Sequence, residues 1–230
     1  MAELVPGVLL PAVRGARRRG RPPRSERPGR REAILRARVL RAAAYCFAQR
    51  GYFSSSVEHI VGRARMSRRT FYRLFESRED VLEALHEEVT RRLFAQLDAA
   101  MSSVAGALEG VRRGIEAYIE VLASHRGLAR VLLVEVQAAG PGLAAAREQA
   151  HAAFAERIEG AYAALVEEGV AGPPHPFAAR ALVGAVNEVV THLLAEERDP
   201  RQATSFVIEI VERHLRSPEP PRPTPGGELP

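Results

Sequence analysis

The amino-acid sequence predicts an all-α protein, and three observations lead to this prediction. Residues 31–140 contain no proline, so long helices can form there without interruption. Apolar residues recur at steps of three and four, which is the helical period, and alternating runs of strand type do not occur. Hairpin signals of the Asn-Gly type and internal repeats are also absent from the sequence. We expect about nine helices.

Length and composition limit the class of protein. The 230 residues, 46% of them hydrophobic, suffice for one large domain or two small ones with a real core. The single cysteine, Cys46, excludes a disulfide scaffold. No run of about 18 apolar residues occurs, so no membrane-spanning helix is predicted. The apolar first 13 residues are broken by proline and lack a basic segment in front, so a cytoplasmic protein is expected rather than a secreted one.

Charge is distributed unevenly along the chain. All 33 basic residues are arginine. Residues 1–78 hold 19 arginines against five acids, a net charge of +14, and residues 79–230 hold 14 arginines against 23 acids, a net charge of −9. The first third of the chain therefore has the charge expected of a protein that binds a polyanion.

Proline and glycine mark the domain boundaries. Residues 1–30 contain five prolines and four glycines, and residues 217–230 contain six prolines and two glycines, so both tails are predicted to be disordered. Between them we expect a small basic domain at 31–78 and a larger helical domain at 79–216.

The first four helices are predicted from apolar periodicity and capping residues. Helix one spans 31–50 and ends at Gly51, a favoured left-handed cap. Ser55 with Glu58 forms a capping-box pattern for a helix that ends near residue 64. Ser67 begins a third helix at 68–75, and Ser77 with Asp80 begins a fourth that ends near residue 100.

Five further helices are predicted beyond residue 100. Apolar stripes or uniformly apolar runs mark each of them. Their approximate ranges are 104–122, 128–136, 143–168, 177–195 and 203–215. Glu135 follows one of the apolar runs, so we expect it to be partly buried and to need a polar partner.

The second and third helices form a helix-turn-helix candidate inside the basic third of the chain. Apolar residues can face the first helix, which leaves the start of the third helix open to a DNA groove. Arginine pairs bidentately with guanine, whereas hydroxyl groups more often hold phosphates. The candidate DNA-contacting residues are Ser56, Arg65, Ser67, Arg68, Arg69, Thr70, Tyr72, Arg73 and Arg78.

Residues 39–85 resemble the TetR family of transcriptional regulators. The resemblance rests on Val39-Leu40, Phe47, Gly51-Tyr52, Ser55-Ser56-Val57, Ile60, Ala64, Met66-Ser67, Thr70-Phe71-Tyr72, Phe75 and Ser77-Arg78-Glu79. It implies a dimeric, repressor-like protein of nine or ten helices whose C-terminal helices form a ligand pocket. It also implies that Thr70, Tyr72 and Arg78 contact the DNA backbone.

The sequence departs from the family pattern at three positions. Arg65 stands where the family usually has a glycine in the turn, and a non-glycine residue there costs about 1 kcal/mol if the backbone is left-handed. Arg69 replaces a second glycine inside the recognition helix, which adds a possible base or phosphate contact. Val61 replaces an alanine, a modest change in packing.

A basic arm precedes the first helix. Residues 14–31 carry nine arginines, and Arg19-Gly20-Arg21-Pro22 resembles the core of an AT-hook. Such an arm lies in a narrow minor groove, where glycine permits close approach and arginine meets a negative potential. Loose attraction to phosphates is the alternative, and either mode steepens the salt dependence of binding.

The larger domain offers no set of residues for catalysis. The sequence shows no metal-ligand cluster, no phosphate-binding glycine loop and no nucleophile at diagnostic spacing, so we expect neither an enzyme nor a cofactor. An apolar effector pocket among the fifth to eighth helices is implied by the resemblance. Its candidate lining residues are Tyr118, Leu122, His125, Phe154, Tyr162 and Asn187.

The last two helices carry broad apolar faces. Paired with those of a second copy, they would form a four-helix bundle, and a two-fold dimer would present two recognition helices to a palindromic site. Burial of these faces inside a monomer is the alternative. The candidate interface residues are Ala185, Val189, Leu193, Phe206 and Ile210.

Three functions are compared. The first is a ligand-controlled regulator of transcription that binds a DNA operator as a homodimer and acts as a repressor. The second is an architectural or nonspecific DNA-binding protein that depends on the basic arm. The third, a helical enzyme or small-molecule carrier, is disfavoured because no catalytic residues can be named.

Overall fold

The computed structural model describes residues 28–138 and 141–215. Within these ranges the chain forms nine α-helices, two short 3-10 helices and no strand, so the all-α prediction is confirmed. The α-helices are α1 (Pro28–Arg50), α2 (Val57–Ala64), α3 (Arg68–Tyr72), α4 (Arg78–Met101), α5 (Ala107–Ser124), α6 (Arg126–Leu133), α7 (Pro141–Glu167), α8 (Ala178–Ala195) and α9 (Thr204–Leu215). The 3-10 helices are Glu135–Ala138 and Pro200–Ala203.

The beginnings of the helices follow the predicted serine caps, with one correction. Ser67 and Ser77 cap α3 and α4, each accepting a hydrogen bond from the backbone N–H three residues later. The capping box of α2, however, consists of Ser56 and His59, not Ser55 and Glu58. The reason is that Ser55 is buried and its Oγ donates to the carbonyl oxygen of Gly51 at 2.8 Å, so its side chain belongs to the preceding turn.

The predicted end of the third helix is also corrected. Helix α3 ends at Tyr72 rather than Phe75. The chain then turns tightly, because the backbone N–H groups of Leu74 and Phe75 both donate to the carbonyl oxygen of Phe71, at 2.8 and 3.0 Å. This turn keeps Leu74 and Phe75 buried although the helix has ended.

Helices α1, α2 and α3 enclose an apolar core of their own, which we call the α1–α3 unit. Phe47, Ile60 and Phe71 are fully buried in it, one from each helix. Burial of a large apolar side chain contributes roughly 1.5–3 kcal/mol to stability. The same hydrophobic cluster continues into the larger helical body formed by α4–α9.

Helix α6 connects the larger body to the end of α1. A methyl group added at Gly127 would overlap the carbonyl oxygen of Ala48, so the two helices touch backbone to backbone. Just beyond α6, the half-buried Glu135 carboxylate accepts a 2.7 Å hydrogen bond from the backbone N–H of Tyr52 and lies 3.2 Å from the Arg130 guanidinium. The expected polar partner of Glu135 is therefore the loop that follows α1.

Several predictions concern residues outside the described ranges. The AT-hook-like segment Arg19-Gly20-Arg21-Pro22 lies there, as do most of the predicted basic arm at 1–30 and the predicted tail at 217–230. Pro28–Arg30, assigned to the arm from sequence, form the first residues of α1.

Candidate nucleic-acid interface and ligand cavity

Helix α3 presents one apolar face inward and one polar face outward. Phe71 is fully buried, whereas the side chain of Tyr72 next to it is 53% exposed. The Arg68, Arg69 and Arg73 side chains are exposed on the same outer face. An arrangement of this kind places three guanidinium groups and a phenol where a DNA groove could receive them.

The hydroxyl residues of α3 are placed at its first turn. Ser67 is exposed, and its Oγ lies 3.0 Å from Oγ1 of the half-buried Thr70. The Ser67 Oγ also accepts a 3.2 Å hydrogen bond from the Thr70 backbone N–H. The free N–H groups at a helix start favour anions, so these residues suit a phosphate better than a base.

Arg68 already has a partner in the free protein. Its guanidinium forms an ion pair with the Glu58 carboxylate on α2, and both side chains are more than half exposed. An exposed pair of this kind contributes little to stability, typically up to about 1 kcal/mol. A DNA phosphate or guanine can therefore compete with Glu58 for Arg68.

Arg65 occupies the turn between α2 and α3. Its backbone is left-handed, with φ 50° and ψ 54°, so the condition for strain at this departure from the family pattern is met. Arg38 holds the turn by donating to the carbonyl oxygens of Ala64 and Arg65, at 2.5 and 3.2 Å. The Arg65 side chain itself is exposed beside α3.

We expect Arg65→Gly to raise the free energy of unfolding by about 1 kcal/mol, because glycine adopts this left-handed backbone without the Cβ clash. Chemical denaturation checks the gain. Arg65→Ala keeps the Cβ and removes the charge, so it should leave stability nearly unchanged. If Arg65→Gly is less stable than Arg65→Ala, the strain argument is wrong. In a separate DNA-binding measurement, an equal loss of affinity in both variants would indicate that the Arg65 side chain contacts DNA.

Two of the predicted DNA-contacting side chains are engaged within the α1–α3 unit and its junction with α4. The Arg78 guanidinium donates to the carbonyl oxygens of Ser55 and Tyr52, at 2.6 and 3.3 Å, and stacks over the Tyr52 ring. The Ser56 Oγ accepts from the His59 backbone N–H as the cap of α2. Arg78 therefore holds the loop between α1 and α2, and Ser56 holds the start of α2.

Tyr52 is the centre of this junction. Its hydroxyl donates to the Glu79 carboxylate at 2.6 Å, and its ring packs edge-on against Phe47. Burial, followed by the hydrogen bond to Glu79, raises the pKa of Tyr52 to about 12, so the phenol stays protonated and keeps donating. Sequence reasoning identified Tyr52 only as a motif residue and missed this role.

The candidate dimer face is only partly exposed in the single chain. Ala185 on α8 is exposed, Phe206 on α9 is 51% exposed, and Val189 and Ile210 are half-buried. Leu193 differs, because it is 6% exposed within the chain's own core. Leu193 lies eight residues after Ala185, which is about 80° more than two full turns, so its side chain is turned toward the core and is not available to a partner.

A cavity of about 180 Å³ lies inside the larger body. Five of the six predicted effector-pocket residues line it: Tyr118, Leu122, His125, Phe154 and Asn187. Tyr162 does not line it, and its ring packs against the His214 ring at 6.3 Å instead.

Sequence reasoning did not include α4 in the pocket, yet α4 supplies part of its wall. His86 and Thr90, one turn apart on α4, line the cavity, as do Arg147 and His151, one turn apart on α7. The available signal was His86, which stands among the apolar residues that α4 buries. We call His86, Thr90, His125, Arg147 and His151 the polar cluster.

Burial favours the neutral form of two imidazoles in the polar cluster, those of His86 and His151. Burial lowers the pKa of His86, and the nearby His151 lowers it further. Burial and then the charge of Arg147 lower the pKa of His151. The Nδ1 of His125 lies 2.9 Å from the carbonyl oxygen of Val121 and must donate to it, which leaves Nε2 as an acceptor. That Nε2 is buried and has no partner.

Two other kinds of site are not found among the described residues. No helix there is long and apolar enough to cross a membrane. No group of three or more histidine, cysteine, aspartate or glutamate residues in that part of the chain is arranged to hold a metal ion.

The sequence matches one family model. The family is described as bacterial regulatory proteins of the TetR family, and the match covers residues 39–85. This segment contains α2, α3 and their turn, together with the end of α1 and the first residues of α4. The motif residues on which the predicted resemblance to the TetR family rests lie in this same segment.

Individual relatives agree with the family match. The chain is 33% identical over 112 residues to the HTH-type transcriptional regulator EthR of Mycolicibacterium smegmatis; the alignment covers 48% of this chain and about half, 52%, of that protein.

Solved structures show the same fold. The fatty acid degradation regulator FadR of Bacillus halodurans has a TM-score of 0.70 at 21% identity, over 79% of this chain and 96% of that one. FadR of Bacillus subtilis, solved in complex with stearoyl-CoA, has a TM-score of 0.67 at 21% identity, over 76% of this chain and 96% of that one. Residues 39–85, which hold the helix-turn-helix motif, thus match the TetR family of bacterial regulatory proteins, and the chain has the fold of these solved regulators.

Proposed function

We propose that this protein is a ligand-responsive transcriptional regulator that binds a palindromic DNA operator as a homodimer and acts as a repressor. The observation that carries the proposal is the outer face of α3, where Arg68, Arg69, Tyr72 and Arg73 are exposed above a fully buried Phe71. A helix anchored by its apolar face and presenting donors on the other is what major-groove readout requires.

Charge supports the choice of DNA as the partner. Residues 28–78 hold 12 arginines against three acids, so the α1–α3 unit and its junction carry a strong positive charge. The body that follows is net acidic over residues 79–230. This polarity orients the α1–α3 unit toward a polyanion and turns the body away from it.

A dimer is supported by the outer faces of α8 and α9. Ala185, Val189, Phe206 and Ile210 leave apolar surface exposed or half-exposed there, and a second copy would cover it. Two-fold symmetry would then set the two α3 helices about 34–36 Å apart, which is one turn of B-DNA.

Control by a ligand is supported by the position of α6. Leu128, Ala129 and Leu132 line the cavity, while Gly127 on the same helix touches the backbone of Ala48 at the end of α1. A molecule that enters the cavity therefore acts on a helix in direct contact with the α1–α3 unit. It releases DNA only if it binds the non-DNA-binding arrangement more tightly. The relative solved with stearoyl-CoA supports a molecule with an apolar part as effector.

The test is selection of bound fragments from random DNA by the full-length protein, repeated with Arg69→Ala. We expect a palindromic consensus with two half-sites, relaxed at defined positions in the variant, because each bidentate arginine contact contributes roughly 1–3 kcal/mol of discrimination. Arg91→Ala, which removes an exposed arginine on α4, is the matched control and should leave the consensus unchanged. Absence of a consensus contradicts the proposal and favours a nonspecific, arm-driven DNA-binding protein.

A further inference from the structure

We propose that the cavity binds an amphiphilic carboxylic acid, with its carboxyl group at the polar cluster and its apolar part among the aliphatic and aromatic side chains of α4, α5 and α7. This inference rests on the proposed function, since it names the class of effector for the same cavity.

The register of three helices sets where the polar cluster lies. Glu83 lies against Gly142, and Asp98 binds Arg157, so α4 and α7 run parallel. Their first turns are therefore at one end of the cavity. Met101, at the end of α4, lies against Gly114 near the start of α5, so α5 runs in the opposite direction.

It follows that the end of α5 returns to the first turns of α4 and α7. His125 follows the last residue of α5 and is thus level with His86 on α4 and with His151 on α7. The far end of the cavity is lined mostly by apolar side chains, among them Met101 from α4 and Ile158 from α7, together with the ion-paired Arg157. The cavity therefore has a polar end with the polar cluster and a mostly apolar end whose arginine already has a partner.

The charges that line the cavity favour an anion. None of the described residues that line it is an aspartate or glutamate, whereas two are arginines. Arg157 is neutralised by a two-pronged ion pair with Asp98, at 2.9 and 3.0 Å. Arg147 makes no ion pair or hydrogen bond with any described residue, and its neighbour Glu148 is engaged by Arg180.

The unpartnered Nε2 of His125 adds a second requirement. A buried acceptor without a donor costs roughly 1–3 kcal/mol, which a ligand donor recovers. A carboxylic acid fits both requirements, because it can transfer its proton to Nε2, and the resulting carboxylate then accepts hydrogen bonds from the Arg147 guanidinium and from the protonated imidazole. An alcohol offers no anion to Arg147, and an amine would place a second cation beside it.

The size of the cavity limits the length of the apolar part. Pockets for drug-sized ligands are about 300–1,000 Å³, and this one is about 180 Å³. A short or medium acyl chain, or one ring, matches this volume better than a long chain. Octanoate is therefore a suitable probe.

The experiment is titration calorimetry of the full-length protein with octanoate, 1-octanol and octylamine, which share one apolar chain. We expect octanoate to bind at least about tenfold more tightly than the neutral 1-octanol and than the cationic octylamine. Arg147→Gln should weaken octanoate about tenfold and leave octanol unchanged, and Arg147→Lys should restore part of the preference. Arg91→Gln, the same charge change on the outer face of α4, should alter neither.

Two outcomes would overturn the inference: equal or tighter binding of octanol than octanoate, or octanoate affinity unaffected by Arg147→Gln. Thermal unfolding of each variant ensures that a loss reflects the site and not the fold. DNA binding without ligand is measured on the same samples. If the protein selects an operator but does not prefer octanoate, this inference fails and the regulator proposal stands; if octanoate binds but no operator is selected, the regulator proposal fails alone.

Discussion

Replacing Arg68, Arg69 and Arg73 together with glutamine should reduce operator affinity at least about a hundredfold. All three guanidinium groups are exposed on the outer face of α3, and each contact with a base or phosphate contributes on the order of 1–3 kcal/mol. Every arginine that contacts a phosphate should also lower the slope of log affinity against log salt by about 0.9. Fluorescence anisotropy with a selected operator, at several salt concentrations, measures both quantities.

The control is a triple variant with the same charge change elsewhere: Arg91, Arg113 and Arg198 to glutamine, all exposed and ion-paired in the larger body. It should bind DNA almost as the parent protein does. A chain that lacks residues 1–27 tests the other source of affinity. If that deletion abolishes binding and the α3 triple variant still binds, the recognition surface on α3 is contradicted and the architectural function is favoured.

Gly127→Ala should lower the free energy of unfolding by about 1–3 kcal/mol, the cost typical of forcing extra volume into a packed contact. The added methyl group would overlap the Ala48 carbonyl oxygen, and a backbone atom cannot rotate away as a side chain can. Gly160→Ala on α7 is the matched control, since nothing lies within 4 Å of the added Cβ. There the same change should stabilise the protein by about 0.5–1 kcal/mol, because alanine favours helix.

Urea denaturation at equal protein concentration measures the free energy of unfolding of both variants. We expect a decrease for Gly127→Ala and an increase for Gly160→Ala. If Gly127→Ala is as stable as the parent protein, α6 and α1 are not in backbone contact, and the route from the cavity to the α1–α3 unit that we propose is wrong.

The sequence was sufficient to predict the number of helices in the described part of the chain and most of their bounds, because these depend on local signals. Proline-free stretches, apolar periodicity and serine caps act over a few residues. The one misplaced cap shows the limit of such signals. Ser55 and Ser56 both fit the capping pattern, and only the hydrogen bond from Ser55 to Gly51 decides which one caps α2.

The cavity and the junction were harder to predict, because they depend on contacts between distant parts of the chain. Glu135 and Tyr52 are 83 residues apart, and no local pattern pairs them. Helix α4 lines the cavity because it packs against α5 and α7, and periodicity does not specify which helices pack together. Tyr162 was placed in the pocket for its residue type alone, whereas its ring packs against His214 on α9.

The backbone contact between α1 and α6 also has a mechanical consequence. No rotatable side-chain bonds separate Gly127 from Ala48, so the contact has almost no compliance. A displacement of α6 by a fraction of an ångström must either move the end of α1 or open the contact. In the ligand-responsive regulator that we propose, stiffness at this one glycine would set the sensitivity to a bound molecule, and a larger residue there would alter the threshold for response without touching either the DNA or the ligand.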